Sequence, residues 1–287
     1  MQLGEILDGS FNIYRRHFGL FMRLSLALVW LPTAAGIYMQ VRFSNSPFEM
    51  LNILEQHTGT TVLFGLLLIV VWTTAGLLLK AGTIRIISDS YLGQEPQLGS
   101  ALRFGVSKIL PLLLVTFSKN LLLILVPGAG ALVVVLLVML GKVVGVGVGG
   151  LIGFVGFVGL AWFVVWVACV YGTTTPIVVL EDLTSSFDAF GRSWELTRGA
   201  RGKVFGTAVV AWLISQLLPQ MVVGGISGAL GAAGNASLQP LFVVVASLMG
   251  IVLAPILPCA ITLLYYDLRV RREAFDLQVL SEQMGIR

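Results

Sequence analysis

The stretch Pro258–Leu277, PCAITLLYYDLRVRREAFDL, decides the fold class. An apolar run passes two tyrosines and becomes a charged, helix-compatible segment without a break. Apolar core, aromatic belt and then basic residues is the order in which a membrane span emerges into water. Asp267 and Arg271 are four residues apart, as are Arg269 and Glu273. Such pairs predict that the helix continues beyond the bilayer.

Composition points the same way. Of 287 residues, 57% are hydrophobic and 11% charged, against about 25% charged in soluble domains. The net charge of +4 reads as topological Lys/Arg surplus rather than as a nucleic-acid surface. MQLGEILDGS at the start is acidic and has no basic n-region, so no removable signal peptide is expected, and no lipidation signal is present. Cys169 and Cys259 both lie inside apolar runs and read as small buried hydrophobes, not as a disulfide or metal pair.

Six apolar segments are long enough to cross a ~30 Å hydrocarbon core, near 20–40, 61–82, 119–140, 148–172, 204–228 and 241–266. The longest connections, Lys80–Lys108 and Thr173–Gly202, are about 30 residues each, below the ~50 residues of a small domain. The expectation is a single all-α polytopic membrane domain over 1–287. Basic residues then set its orientation. Arg15, Arg16 and Arg23 flank the first span. Lys80, Arg85, Arg103 and Lys108 follow the second; Arg192, Arg198, Arg201 and Lys203 follow the fourth. Arg269, Arg271, Arg272 and Arg287 close the chain. That is 15 of the 18 Lys and Arg, with Lys119 opening the third span and only Arg42 and Lys142 on the opposite side. The positive-inside rule then places both termini in the cytoplasm.

Three cytoplasmic segments have helical apolar periodicity. Leu3, Ile6, Leu7, Phe11, Tyr14 and Phe18 recur at intervals of three and four, opposite Glu5, Asp8, Asn12 and Arg15. Leu98, Leu102, Val106, Ile109 and Leu113 repeat the pattern, and Phe187, Phe190, Trp194 and Leu196 do so less regularly. Each predicts an amphipathic helix in the membrane interface. Units starting at Leu3, Leu98 and Phe187 share ordered landmarks: an opening base (Arg23, Lys119, Lys203), an intramembrane proline (Pro32, Pro127, Pro219) and a closing acid (Asp89, Glu181, Asp267). The expected organisation is three parallel two-span repeats, over 3–92, 98–182 and 187–276. The junction at Pro258–Leu277 is then the third copy of an exit also seen as ISDS at Asp89 and VLED at Glu181.

Little in the sequence carries covalent chemistry. Gly145, Gly147 and Gly150 spell G-x-G-x-x-G, but no strand precedes them. Their spacing, with Gly149, Gly153, Gly156 and Gly159, suits close helix packing in lipid, as does that of Gly224 and Gly228. Pro32, Pro127, Pro219, Pro255 and Pro258 predict kinks. Ser215 and Gln216, and Thr73 and Thr74, are the main polar residues near the span interiors, and no charged residue falls at a span centre. His17 and His57 fall on opposite sides and cannot share a site. The charged group Glu181, Asp182, Asp188, Arg192, Glu195, Arg198, Arg201 and Lys203 reads as an ion-pair network, with Asp188 facing Arg192, and as a surface for anionic headgroups.

The segments LGEILDGSFNIYRRHFGL, QEPQLGSALR, TTTPIVVLEDLTSSFDAFGRSWELTRG and LLYYDLRVRREAFDL resemble the bacterial glycerophosphoryl diester phosphodiesterase membrane-domain family, over nearly the whole chain. The resemblance implies a bacterial cytoplasmic membrane protein. It implies no phosphodiesterase activity, because the catalytic barrel of the family's larger members has no counterpart here. The reading that follows is a non-enzymatic, cofactor-free, lipid-contacting scaffold or accessory subunit of a membrane complex. Its partners are membrane lipids and a membrane protein. Contacts are expected at Arg23, Lys119, Glu181, Asp182, Arg192, Trp194, Arg198, Lys203, Asp267, Arg269 and Arg271. A transporter or channel for a small or lipidic substrate is the alternative, and an intramembrane enzyme using Glu181, Asp182 and Asp188 comes after it.

Overall fold

The computed structural model describes residues 2–43, 58–232 and 239–273, and these are helices and short turns with no strand. The helices are α1 (Leu3–Arg16), α2 (Phe18–Phe43), α3 (Thr58–Tyr91), α4 (Leu98–Ser107), α5 (Ile109–Val144), α6 (Val146–Val170), α7 (Thr174–Leu180), α8 (Asp188–Thr197), α9 (Arg201–Trp212), α10 (Leu218–Ala232), α11 (Gln239–Leu253) and α12 (Ile256–Glu273). A π turn, Leu213–Leu217, joins α9 to α10. Six stretches are long and apolar enough to cross a membrane: Phe18–Val41, Gly59–Tyr91, Ile109–Val143, Val146–Leu180, Arg201–Ile226 and Pro240–Glu273. The protein is therefore an all-α, multi-pass membrane protein. Its element order runs short helix, long span, long span three times.

The spans are longer than their apolar cores because the helix does not stop at the hydrocarbon boundary. At about 1.5 Å per residue, the 34 residues of α3 are roughly 50 Å long, so Arg85 and Asp89 occupy its last turns rather than a loop. Asp89 is buried and accepts from Arg85 at 3.1 Å, one turn back. Gly93, at φ 74, then reverses the chain, and the Gln94 N–H reaches back to the Asp89 carbonyl at 2.8 Å. A left-handed residue just past a helix is glycine's usual place.

The prolines are accommodated in several ways. Pro32 and Pro127 lie inside continuous helices. Pro258 falls in the first turn of α12, where a missing N–H costs little, and Pro219 comes just after the π turn inside the continuous Arg201–Ile226 span. The π turn directly before Pro219 gives its ring room. Pro255 falls between α11 and α12, so the sixth span is broken rather than kinked.

The chain divides into two compact units, 1–109 with 207–264 and 110–206 with 265–287. In the first, α3 packs on α2 and α4, and α11 packs on α2 and α10. Its core includes Phe21, Leu24, Ile84 and Ile87. Helix α1 is held by Tyr14, whose hydroxyl donates to the Val252 carbonyl at 2.6 Å. That carbonyl lies near the end of α11, where helices leave acceptors unsatisfied. Burial, with the Cys259 thiol nearby, pushes the Tyr14 pKa up to about 12.

In the second unit, α5 and α6 form a close hairpin. A Cβ on Gly156 would lie 2.6 Å from both Val134 methyls, and one on Gly149 would lie 3.1 Å from the Val138 carbonyl oxygen. The glycines that carry this packing are Gly130, Gly141, Gly149, Gly153 and Gly156. Gly145, Gly147, Gly150 and Gly159 have open space, and so do Gly224 and Gly228. The four-residue spacing therefore marks packing only where it faces the neighbouring helix.

The three amphipathic helices divide their apolar residues between internal packing and the outside. Helix α1 buries Ile6, Ser10 and Tyr14 but leaves Phe11 exposed. Helix α4 buries Ala101 and Gly105 and leaves Val106 58% exposed. Helix α8 buries Ala189, Ser193, Leu196 and Thr197, leaving Phe187 and Trp194 outside. Small residues four apart let two backbones approach. At Gly105 the nearest atoms of Ala81 and Leu78 are 3.6 Å from the Cβ position. Ile6, Tyr14 and Leu196 join the packing, while Phe11, Val106, Phe187 and Trp194 are left outward at the ends of the spans.

Candidate functional site

The most connected polar group among the described residues is at the exit of α12. Glu181, just past α7, accepts from Arg192 Nε at 3.0 Å with Oε2 and from the Tyr265 hydroxyl at 2.8 Å with Oε1. Arg269 donates to the same hydroxyl at 3.1 Å and to Glu273 Oε2, also at 3.1 Å. Arg192 closes the circuit by pairing with Glu273 Oε1. Five side chains thus form a ring, Glu181–Arg192–Glu273–Arg269–Tyr265, with two carboxylates balanced by two guanidinium groups. All four charged members are largely covered, with side-chain exposure from 14% for Glu181 to 27% for Arg192. Burial alone would lower the Arg192 pKa, but its hydrogen bonds to Glu273 and Glu181 outweigh that and hold it above its ordinary value.

Beside the ring, Asp267 is 4% exposed. It is engaged by Lys203 from the start of α9 and by Arg271 at 3.2 Å from its own helix. Both four-residue pairs expected on the exit helix, Asp267–Arg271 and Arg269–Glu273, are therefore formed. The expected Asp188–Arg192 pair is not. Asp188 accepts from the Ser185 backbone N–H at 2.9 Å, in the turn ahead of α8, and Arg192 turns to Glu181 and Glu273 instead.

A hydroxyl cluster fixes α8 beneath this network. Ser193 Oγ donates to the Val170 carbonyl at 2.6 Å and contacts Thr173 Oγ1 at 2.9 Å. Thr197 Oγ1 donates to the Ser193 carbonyl at 2.8 Å. These groups satisfy the end of α6 where the chain turns into α7. On the adjoining face, Trp166 and Trp194 meet edge to face with centroids 5.4 Å apart. The Arg201 guanidinium lies 4.8 Å from the Trp194 ring and 5.4 Å from Trp166, within cation–π range.

Of the residues singled out in the sequence, Glu181, Arg192, Lys203, Asp267, Arg269 and Arg271 converge here, with Trp194 and Arg198 on α8 and the turn after it. Lys119 lies half-buried on α5 and Asp182 is exposed. Arg23 is exposed on α2, in the first unit. His57 and Arg287 lie outside the described residues. Sequence reasoning missed Tyr265, Glu273 and Trp166 as members. Tyrosines and tryptophans at a span end look like belt residues, and only the fold brings positions 84 residues apart together. No group of three or more His, Cys, Asp or Glu among the described residues is placed to hold a metal ion. His17 stands apart, its Nε2 3.1 Å from Ser90 Oγ. Burial, with Arg16 adjacent, lowers its pKa.

Residues 19–267 match the family described as a domain of unknown function (DUF7847), and the chain belongs to that family. No curated protein and no solved structure matches it.

Proposed function

We propose that the protein is a non-enzymatic scaffold or accessory subunit that contacts lipid and a partner protein within the bacterial cytoplasmic membrane, with both termini on the cytoplasmic side. One observation carries the reading: each short helix packs inward through small residues, joined by Ile6, Tyr14 and Leu196, and leaves other large apolar side chains outward at a span end. Phe11 does this in the first copy, with Phe18 following at the start of α2, Val106 in the second, and Phe187 and Trp194 in the third. Around α1 they line an open cleft of about 660 Å³ together with Asp8, Asn12 and Arg15. Apolar groups rimmed by polar ones at the bilayer surface suit lipid and membrane-protein contact. The recurring helix order supports a threefold repeat, and the quoted sequence segments support kinship with the glycerophosphoryl diester phosphodiesterase membrane domains. Native-membrane mass spectrometry tests the proposal: lipid or a protein partner should co-purify. A strictly monomeric, lipid-free protein would overturn it.

A transporter or channel is the second reading, favoured by a different observation. Ser25, Thr83, Thr207 and Ser215 are fully buried in the first unit, and their hydroxyls have no partner. Ser215 belongs to the π turn, a feature frequent at functional positions. Unsatisfied hydroxyls are costly in a membrane interior, and a hydrated path would satisfy them. Hydroxyl-radical footprinting in native membranes decides this: labelling next to Ser25, Thr83 and Ser215 supports a wet path, and protection there rejects it.

A further inference from the structure

Arg198, Arg201 and Arg272 differ from the cations around them. Lys203, Arg192, Arg269 and Arg271 each have a carboxylate, whereas these three have no ion-pair partner among the described residues. Of the carboxylates nearby, Glu181 and Glu273 are engaged in the ring, Asp267 by two cations, and Glu195 reaches Arg192 at 4.0 Å. The three arginines meet at one turn. Gly199, at φ 81, reverses the chain between α8 and α9, and an Arg272 nitrogen comes to 3.6 Å from where its Cβ would be. Arg198 precedes that glycine and Arg201 opens the next span. Arg201 is held in place by Trp166 and Trp194, and its buried Nε lacks any hydrogen-bond partner.

Three guanidinium groups around one turn, none paired with a carboxylate, call for an anion from outside. Guanidinium forks match phosphate oxygens in pairs. The depth of the turn indicates which phosphate. Trp166 is in the last turns of α6 and Arg201 is the first residue of the fifth span, so both stand where headgroups meet the hydrocarbon and where tryptophan is enriched. We infer that the Arg198–Lys203 turn, with Arg272, holds the phosphate of an anionic phospholipid headgroup between its arginines and the Trp166–Trp194 pair. The inference rests on the lipid-contacting reading above and gives that surface one headgroup class.

The test uses the full chain purified in mild detergent and titrated with phosphatidylglycerol or phosphatidylcholine, with retained lipid counted by native mass spectrometry. Phosphatidylglycerol should be retained in preference. Each arginine removed should weaken that retention about fivefold, the worth of one basic residue near an anionic surface. Arg198→Gln with Arg272→Gln tests this without disturbing the tryptophan clamp, and Arg201→Gln is added to that pair. Arg103→Gln, on the exposed face of α4, should change nothing. Equal retention of the two lipids, or an unchanged preference in the triple variant, overturns the inference while lipid contact itself stands. Displacement of phosphatidylglycerol by inorganic phosphate at modest concentration would overturn the lipid source. If no lipid is retained at all and no partner co-purifies, the broader reading falls with it.

Discussion

The Tyr265 hydroxyl donates to Glu181 at 2.8 Å across 84 residues of sequence, and it simultaneously accepts from Arg269 at 3.1 Å. One phenol therefore links the loop after α7 to the exit helix. Tyr265→Phe keeps the ring edge to face with Tyr266 and removes only this link, which should cost about 1–2 kcal/mol. Glu181→Gln should cost more, because Arg192 then faces an amide in place of a carboxylate. Arg192→Gln combined with Glu181→Gln should be milder than the sum of the two, since both changes break the same ring. Thermal unfolding in detergent reads all three, and strict additivity would show that the ring does not act as a unit.

His17 gives the fold a pH dependence with a definite sign. Its folded pKa lies below the ordinary 6.5, so between the two values the unfolded chain binds a proton that the folded chain does not. Stability is thus fully present above pH 6.5 and falls as pH drops toward the folded value. His17→Gln retains a partner for Ser90 and should flatten this slope. The measurement is the apparent melting temperature at about pH 7.5 and about pH 5.5, on either side of an ordinary histidine. An equal fall in both proteins would assign the acid sensitivity elsewhere.

Much of this was readable from residue order, and the failures have physical causes. Six spans follow from hydropathy because the bilayer leaves helices as nearly the only choice. The i,i+4 pairs of α12 follow because both partners share one helix. Apolar periodicity marks the three amphipathic helices but does not tell which of their residues pack on the spans. In water Phe11, Val106 and Trp194 would be buried first, but in lipid they can remain outside while Ser10, Gly105 and Ser193 allow close approach. Asp188 is one turn from Arg192, yet its carboxylate takes the Ser185 backbone N–H in the turn ahead of α8. Only the Arg269–Glu273 side of the ring had a local signal; its links to Glu181 and Arg192 join three separated segments.

Neighbouring glycines provide a sharp contrast in the α5–α6 hairpin. At Gly149 an added Cβ would meet backbone, 3.1 Å from the Val138 carbonyl and 3.2 Å from the Lys142 nitrogen, whereas at Gly150 it would meet nothing within 4 Å. Backbone on a facing helix cannot yield without moving the whole helix. Gly149→Ala should therefore destabilise by about 1–3 kcal/mol, the usual cost of overpacking. Gly150→Ala should be neutral or slightly stabilising, because alanine is the better helix former. Unfolding of the two variants side by side checks this, and equal behaviour would mean that the hairpin is looser than drawn.

Topology can be tested with single thiols, because both native cysteines, Cys169 and Cys259, are buried and free. Ser100 on α4 and Glu195 on α8 are exposed, and they flank spans entered from the side richest in Lys and Arg. Lys142, near the turn between α5 and α6, is also exposed. The positive-inside reading expects Ser100→Cys and Glu195→Cys to react with a membrane-impermeant maleimide only in inside-out vesicles. Lys142→Cys should react only in right-side-out vesicles or whole cells. The unsubstituted protein supplies the background, which burial of its two thiols should keep low. Spans that come in pairs return the chain to its starting side each time, so Ser100 and Glu195 must report the same side. Labelling of those two positions from opposite faces would break the six-span assignment. Shared labelling from the outside would keep the spans and invert the orientation.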